Sequence, residues 1–413
     1  MKKEVRRSIL SGKVSAPSSA ALAHRALLIA TLTPGQTIVS NVSQMPDIQA
    51  TIGACEKFGA DIVTKNDVVD IFSPDEFLPP AMIDCKESNE TLKLFMPLAA
   101  IFDSDITFVG TGKLLGNSLN HFVDYFEALL VSAKTQNGHL PVTVKGPAEF
   151  GEMIYFPQLG TQFLSGLLIA APLVPENTMM SITGKMPGIS YVEATVEMMK
   201  KSGIAFMASE PDFYCVSGPQ QYMAPEEIAV PGSTYLSSFL LLAGVLAGKI
   251  EVNGVSKSSE MELLFAGFSA NIKYDSGRMT ASIGKLQGAN LDAVEIQQYL
   301  MHALVLACFA SGETKISNIH KLTAHEDAKM RLMMRELTRM GAKISEVDGN
   351  LIIKEAKLSG AEIEPEGDSK VAMACVVAAI VAQGSTSING AECIEKSYPG
   401  FFSDLETLGA RIR

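Results

Sequence analysis

A short β-branched run that ends near Gly or Asn recurs six times along the chain. Taking the first strand residue of each run, the successive gaps are 69, 72, 72, 64 and 72 residues, and these residues are Thr37, Ile106, Thr178, Ile250, Thr314 and Thr386. Runs of this kind between turn residues predict β-strands. A regular period in one chain indicates an internal repeat.

Apolar helical stretches precede most of these strands and end at a Gly or an acidic turn. They cover residues 20–32, 163–173, 235–247, 299–310 and 371–382. A second pattern, in which a helix ends at Gly before a β run, recurs at residues 57–62, 201–206, 339–344 and 407–412. Together the patterns predict six β-α-β-α-β-β units of about 70 residues. One such unit is too small to bury both faces of its sheet, so three should pack into each of two domains.

Composition places the chain among ordinary globular proteins. Its 413 residues are 47% hydrophobic and 19% charged, which allows large cores in two or more domains. The formal net charge of −11 argues against a nucleic-acid or anionic-membrane partner, because phosphates would be repelled. The longest apolar runs fall short of the ~20 residues of a membrane span. No apolar signal core follows the basic first seven residues, which predicts a cytoplasmic location.

Six cysteines lie mostly among apolar neighbours and show no metal-ligand spacing, which favours reduced structural thiols.

Five further segments occur in a fixed order along the chain. They are Ala16-Pro17-Ser18 with the helix at residues 23–29, Met45-Pro46-Asp47, residues 161–164, residues 321–332 and residues 393–399. In this order they resemble the EPSP synthase (3-phosphoshikimate 1-carboxyvinyltransferase) family of enolpyruvyl transferases, and the resemblance covers the whole chain.

The resemblance implies a fold and a division of the chain. The fold is α/β, a two-lobed inside-out α/β barrel in which each lobe contains three βαβαββ repeats and the active site lies in the cleft between the lobes. Residues 1–19 and 230–413 are expected to form the first lobe. Residues 20–229 are expected to form the second.

The resemblance also implies a reaction. The enolpyruvyl group of phosphoenolpyruvate moves to a hydroxyl of shikimate 3-phosphate, in the pathway to aromatic amino acids, without a metal or a cofactor. The expected partners are therefore these small anions, and the chain is expected to act as a monomer. Such a site must hold phosphates and a carboxylate with Arg and Lys, and it must move protons with an acid and a base.

By position, the resemblance assigns proton transfer to Glu326 and to His325 beside it. The implied substrate-binding residues are Arg25, Thr161, Gln162, Tyr191, Lys321, Lys329, Lys370 and Lys396. Each has a simpler alternative. Arg25 could pair with Asp47, Gln162 could cap a helix, Tyr191 could be a core residue, and Glu326 could be a solvated carboxylate at a helix start. A single lysine is more often a surface residue.

Several positions depart from the family pattern. Ser19-Ala20-Ala21 stands where the family carries Lys and Ser, and residues 86–91, including Glu87, replace a glycine loop that approaches the anion. Asn117 replaces an arginine that holds phosphoenolpyruvate, and Gln298 replaces a catalytic aspartate. Asn carries no charge, and Gln cannot accept a proton.

Three hypotheses follow from these departures. The first is an enolpyruvyl transferase in which Glu326 and His325 move protons and lysines hold the anions, among them Lys86 and Lys93. The second is the same scaffold acting on a different acceptor. The third is a non-catalytic protein that keeps the site to bind a metabolite. A UDP-N-acetylglucosamine enolpyruvyl transferase is disfavoured, because residues 114–118 contain no cysteine.

Overall fold

The computed structural model describes all residues, Met1–Arg413, and the chain divides into two compact units. Unit 1 contains Met1–Pro17 and Gly232–Arg413, and unit 2 contains Ser18–Pro231. Unit 2 is therefore inserted in the chain of unit 1. None of the helices combines the length and the apolar character that a membrane crossing requires.

Twelve α-helices and twenty-four strands make up the two units. The helices are α1 (Ala20–Thr31), α2 (Pro46–Lys57), α3 (Asn89–Ala99), α4 (Asn120–Ala128), α5 (Gly160–Ala170), α6 (Ile189–Lys201), α7 (Thr234–Ala247), α8 (Ser259–Gly267), α9 (Leu300–Phe309), α10 (Ala324–Arg339), α11 (Ser369–Val381) and α12 (Phe401–Thr407). The strands are β1 (Lys2–Arg6), β2 (Leu10–Ser15), β3 (Gly35–Ser40), β4 (Asp61–Lys65), β5 (Val68–Ser73), β6 (Met82–Asp84), β7 (Ile106–Val109), β8 (Ser132–Gln136), β9 (His139–Lys145), β10 (Glu152–Tyr155), β11 (Thr178–Ile182), β12 (Phe206–Glu210), β13 (Phe213–Val216), β14 (Glu227–Ala229), β15 (Gly248–Asn253), β16 (Asn271–Asp275), β17 (Arg278–Ser282), β18 (Asn290–Asp292), β19 (Glu313–Ser317), β20 (Lys343–Val347), β21 (Asn350–Lys354), β22 (Glu362–Ile363), β23 (Ser385–Asn389) and β24 (Arg411–Ile412).

The strands form six four-stranded sheets with one common topology, three in each unit. In every sheet an edge strand pairs in parallel with a second strand, and the second, third and fourth strands pair antiparallel. The orders are β22-β23-β1-β24, β2-β15-β17-β16 and β18-β19-β21-β20 in unit 1, and β14-β3-β5-β4, β6-β7-β9-β8 and β10-β11-β13-β12 in unit 2. The six strands predicted from the repeat are all present, each as the second strand of its sheet. The sixfold repeat is therefore confirmed.

Both units have a core of apolar helices, one from each repeat. In unit 1 these are α7, α9 and α11, whose side chains are buried on nearly every side, and they pack against one another. In unit 2, α3 packs against α5 and α1 in the same way. A helix that is apolar all round is stable only when it is surrounded by protein. Some polar side chains on these helices meet partners in the core, such as His302 on α9, whose Nε2 lies 2.7 Å from the Ser238 hydroxyl on α7.

A glycine stands where each parallel strand pair of unit 1 begins. A Cβ atom would lie 1.8 Å from the Leu10 carbonyl oxygen at Gly248 and 2.2 Å from that of Glu313 at Gly288. At Gly360 it would lie 2.0 Å from the Ser385 carbonyl oxygen. These distances are far below van der Waals contact. The repeat therefore requires glycine at these positions because of backbone approach.

Candidate functional site

Arg25 is fully buried on α1. Its Nε donates a hydrogen bond to the Ser165 hydroxyl at 3.2 Å, and Nη1 donates to the Ala21 carbonyl. Nη1 also lies 3.6 Å from Oε2 of Glu90 on α3. Removing a guanidinium from water is unfavourable unless it meets a counter-ion and acceptors. Glu90, and not Asp47, supplies that counter-ion.

Glu90 occupies the first turn of α3, with its side chain 20% exposed. Its Oε1 lies 3.5 Å from the Gln162 amide nitrogen, whereas Oε2 is buried and accepts no hydrogen bond. Burial raises the pKa of Glu90, although Arg25, Gln162 and Lys93 oppose that shift. The carboxylate is therefore held among cations but only partly compensated.

Lys93 lies one turn further along α3. Burial lowers the pKa of its ammonium group, and the Glu90 charge opposes the shift. A Cβ added at Gly160 would lie 3.0 Å from Gln162 Oε1 and 3.8 Å from Lys93 Nζ, so both side chains converge on the start of α5. We call Arg25, Glu90, Lys93 and Gln162 the Arg25 cluster.

A chain of buried hydroxyl groups fixes the start of α3. His24 Nδ1 lies 2.6 Å from the Thr51 hydroxyl, which lies 2.7 Å from that of Thr91. The Thr91 hydroxyl donates to Ser88, whose oxygen also caps the helix by accepting from the Thr91 N–H. Burial, with a smaller contribution from the Arg25 charge, lowers the pKa of His24 to about 3. His24 is therefore neutral, and its contact with Thr51 and the contact of Thr51 with Thr91 link α1, α2 and α3 beside Glu90.

Thr161, Gln162 and Tyr191 lie together in unit 2. Helix α5 begins at Gly160, so Gln162 lies in its first turn and the alternative that Gln162 caps the helix is wrong. A Cβ added at Gly188 would lie 3.7 Å from Thr161 Cγ2 and 3.6 Å from Tyr191 Cδ2. Tyr191 is half-buried at the start of α6. The four predicted substrate-binding residues of unit 2 thus cluster around the starts of α5 and α6 and the buried face of α1.

In unit 1, a second cluster lies where α10 and α11 begin. Asp368 caps α11 by accepting from the N–H groups of Lys370 and Val371, and its Oδ2 lies 3.5 Å from Lys329 Nζ. The pKa of Lys370 is lowered by burial and by the Lys329 charge, and Asp368 and Glu326 oppose the shift. The Lys370 ammonium also lies 5.1 Å from the ring centroid of Tyr235. We call Lys370, Lys329, Asp368 and Glu326 the Lys370 cluster.

Glu326 has a structural role at the start of α10. Its Oε2 accepts from the N–H of Thr323 at 3.1 Å and from the Thr323 hydroxyl at 2.8 Å, which completes a capping box. The simpler role expected at a helix start is therefore present. Both hydrogen bonds end on one oxygen, so Oε1 remains for another partner. His325 is exposed beside it.

The other predicted lysines lie at the margin or outside this cluster. Lys396 is exposed at the end of a short 3-10 helix, and the Ser397 hydroxyl lies 2.7 Å from that of Ser369, which ties this segment to the start of α11. Lys321 is exposed, and its positive charge contributes to lowering the pKa of Asp292. Lys86 is also exposed and pairs with Asp84 at 2.6 Å.

Comparison with known proteins places the chain in a family. A sequence model of EPSP synthase (3-phosphoshikimate 1-carboxyvinyltransferase) matches residues 6–405. The chain belongs to the EPSP synthase family. A 3-phosphoshikimate 1-carboxyvinyltransferase of Methanocorpusculum labreanum is 31% identical over 422 residues and covers 100% of both chains. One from Clostridium perfringens is 30% identical over 416 residues and covers 98% of each.

Solved EPSP synthases have the same fold. The structure from Acinetobacter baumannii matches with a TM-score of 0.87 at 18% identity and covers 100% of this chain and 99% of that one. The expected fold, the two-lobed inside-out α/β barrel of this family, is therefore confirmed.

Two of the positions expected to depart from the family pattern are Asn117 in unit 2 and Gln298 in unit 1. Asn117 is exposed, and its amide nitrogen lies 3.5 Å from the Asn89 side-chain oxygen. Gln298 is half-buried in the short 3-10 turn Gln297–Tyr299. Neither brings a charge to its position.

Sequence reasoning noted the carboxylates of residues 86–91, but it missed the ion pair of Glu90 with Arg25 and the membership of Asp368 in the Lys370 cluster. For Asp368 a local signal existed, because Asp directly before an apolar helix is a common N-cap. For Glu90 the spacing of three residues to Lys93 places both on one helix face. Its partner Arg25 lies far away in sequence, and nothing local indicates that ion pair.

Proposed function

We propose that this member of the EPSP synthase family transfers the enolpyruvyl group of phosphoenolpyruvate to shikimate 3-phosphate in the pathway to aromatic amino acids. The acceptor hydroxyl loses its proton as it attacks C2 of phosphoenolpyruvate, and C3 takes up a proton. Phosphate then leaves C2 while C3 gives up a proton, which restores the carbon–carbon double bond of the product. The observation that carries the proposal is the Lys370 cluster. It brings together the ammonium groups of Lys329 and Lys370 and the carboxylate of Glu326, at positions implied by the family resemblance, with the Asp368 carboxylate as a further member.

In unit 1, Lys329, Lys370 and Lys396 are the proposed contacts of phosphoenolpyruvate. Burial and the Lys329 charge lower the pKa of Lys370, and Asp368 and Glu326 only partly oppose that shift. A bound anion opposes the shift further because it supplies an opposite charge at short range. Anion binding is thus favoured at this position.

Proton transfer is assigned to Glu326. Its Oε2 is occupied by the capping box, which holds the carboxyl group in one orientation. Its Oε1 is left to exchange a proton with the reacting carbon or the acceptor hydroxyl. His325 and Lys321 are exposed and complete the proposed site of unit 1 as solvent-side contacts.

In unit 2, Arg25, Thr161, Gln162 and Tyr191 are the proposed contacts of the acceptor. They combine a guanidinium, an amide and two hydroxyl groups, which suits a phosphorylated, hydroxylated ring. The start of α5 adds its backbone N–H groups, which favour an anion. Lys93 supplies a second cation at the same place.

Phosphate release from phosphoenolpyruvate in the presence of shikimate 3-phosphate tests this function. We expect turnover that depends on both substrates and that falls by at least about tenfold in Lys370→Met, because a charge-assisted contact is worth more than 1.4 kcal/mol. Lys343→Met, on the exposed strand β20, is the matched control and should leave turnover unchanged. Absence of turnover above the background without enzyme would refute the proposal.

A second candidate is the same scaffold acting on a different acceptor, and the observation that favours it is the Glu90 carboxylate inside the proposed acceptor site. It predicts binding of phosphoenolpyruvate without binding of shikimate 3-phosphate. A non-catalytic, metabolite-binding protein predicts binding without turnover of any acceptor, consistent with Ala20, Ala21, Asn117 and Gln298.

The monomeric state stays a prediction, which analytical sedimentation tests. The cytoplasmic location also stays a prediction, which cell fractionation tests.

A further inference from the structure

The Arg25 cluster already contains an anion of its own. The Glu90 carboxylate faces the Arg25 guanidinium at 3.6 Å, and the Gln162 amide lies 3.5 Å from its other oxygen. Arg25 and Gln162 are also among the contacts proposed for the acceptor, whose phosphate accepts hydrogen bonds from the same kinds of donor. A ligand phosphate and the Glu90 carboxylate therefore require the same donors.

The charges around Glu90 leave little surplus for a dianion. Arg25 on α1 and Lys93 on α3 are positive, whereas Asp47 on α2 is negative and acts on Glu90 from the third packed helix. From α5, only the neutral Gln162 contributes. Strand β9 also contacts α3, and its ionisable side chains have other partners: Lys145 pairs with Asp103, and His139 lies 3.0 Å from the Asn117 carbonyl oxygen. The positive charges of Arg25 and Lys93 are thus already balanced by the carboxylates of Glu90 and Asp47 before any ligand is bound.

We propose that Glu90 is a resident carboxylate that competes with the acceptor's phosphate for Arg25 and Gln162, so that the acceptor binds together with one proton on Glu90. The inference rests on the proposed function for the identity of the acceptor. It makes Glu90 a specificity-determining residue of the acceptor site.

The geometry gives the proton a definite place. Glu90 Oε2 is buried and accepts no hydrogen bond, so an O–H formed there can donate to a phosphate oxygen. Protonation also removes the repulsion between two anions at short range. Burial, which already raises the pKa of Glu90, acts in the same direction.

Calorimetric titration with shikimate 3-phosphate tests the proposal, using buffers of different ionisation enthalpy at several pH values. For the wild type we expect uptake of about one more proton per bound ligand than for Glu90→Gln. We also expect Glu90→Gln to bind shikimate 3-phosphate about tenfold or more tightly at pH 8. The difference between the two proteins cancels the proton exchange of the ligand itself.

Glu127→Gln, which removes one exposed carboxylate from α4, is the matched control and should behave as the wild type. Glu90→Ser serves as a second variant, and a thermal melt of each protein verifies folding. Equal affinity and equal proton uptake in wild type and Glu90→Gln would overturn the inference.

Inorganic phosphate, titrated into the same proteins, separates this inference from the proposed function. If shikimate 3-phosphate binds to neither protein but phosphate shows the Glu90-dependent proton uptake, the acceptor assignment fails and the role of Glu90 stands. Failure of both anions to bind Glu90→Gln would overturn the role of Glu90, because no anion site would then lie behind the carboxylate.

Discussion

Lys370 is a half-buried ammonium group beside a second ammonium group. Burial is the main cause of its lowered pKa, and the Lys329 charge is the second. A lysine with a lowered pKa loses its charge at a lower pH than an exposed lysine does. The ligand-binding form is the protonated one, so it is present below the lowered pKa and lost as the pH rises through it.

We therefore expect kcat/KM for phosphoenolpyruvate to fall as the pH rises through the alkaline range. Lys329→Gln should lower kcat/KM but move this fall to higher pH, because it removes one of the two causes that lower the Lys370 pKa. Full pH–rate profiles of both proteins check the shift. Lys343→Gln should retain the wild-type profile, and a fall at the same pH in Lys329→Gln would contradict the explanation.

Arg25 shows how far a single residue can be interpreted from the sequence. Its position early in a helix and its resemblance to a family arginine identified it as a candidate, and it does lie in a polar cluster. The alternative pairing with Asp47 was wrong, since Glu90 lies closer. Which of two carboxylates meets a buried guanidinium depends on helix packing, which no local pattern records.

At the scale of elements, the start of α10 combines a structural and a proposed chemical role. Thr323 and Glu326 form the capping box, and the charge of Glu326 also opposes the lowering of the Lys370 pKa. Gln can replace Glu in a capping box because its amide oxygen accepts the same hydrogen bonds. The two roles can therefore be separated by substitution.

Glu326→Gln should lower kcat by about 100-fold or more while leaving the free energy of unfolding almost unchanged. Thr323→Ala should lower the free energy of unfolding by about 1 kcal/mol because it removes the N-cap. Steady-state kinetics and urea unfolding of both variants provide the measurements. Full activity in Glu326→Gln would assign this carboxylate to the helix cap alone.

Elements were easier to predict than their contacts. The six repeat strands appear where the β-branched runs predicted them, because strand pattern and turn residues are local properties. The ion pair of Asp368 with Lys329 and the pairing of Ser369 with Ser397 join separate elements, so the sequence did not reveal them. The same limit explains why the resemblance grouped Lys329 and Lys370 but did not indicate that Asp368 links them.

At the scale of the whole molecule, the repeat restricts glycine positions in the same way in several sheets. Gly360 lies so close to the Ser385 carbonyl that a Cβ atom would overlap it. Gly53, inside α2, has no atom within 4 Å of its Cβ position. The two positions therefore predict opposite effects of one substitution.

Gly360→Ala should lower the free energy of unfolding by about 2 kcal/mol or more, since the paired strands must separate to admit the methyl group. Gly53→Ala should raise it by about 0.5–1 kcal/mol, because alanine loses less entropy in a helix. Chemical denaturation of both variants measures these changes in the free energy of unfolding. Destabilisation of equal size in both would show that the close approach is not the cause.

The insertion of unit 2 within unit 1 has a consequence for how the polypeptide is made. Strands β1 and β2 are synthesised before unit 2, yet β15, the partner of β2, begins at Gly248, and β23, a partner of β1, begins at Ser385. All of unit 2 is synthesised in between, and its own strands, from β3 to β14, need nothing that is translated later. The nascent chain therefore completes unit 2 while the edges of β1 and β2 are still unpaired, which exposes these strands to chaperones and to aggregation until β15 and β23 have been synthesised.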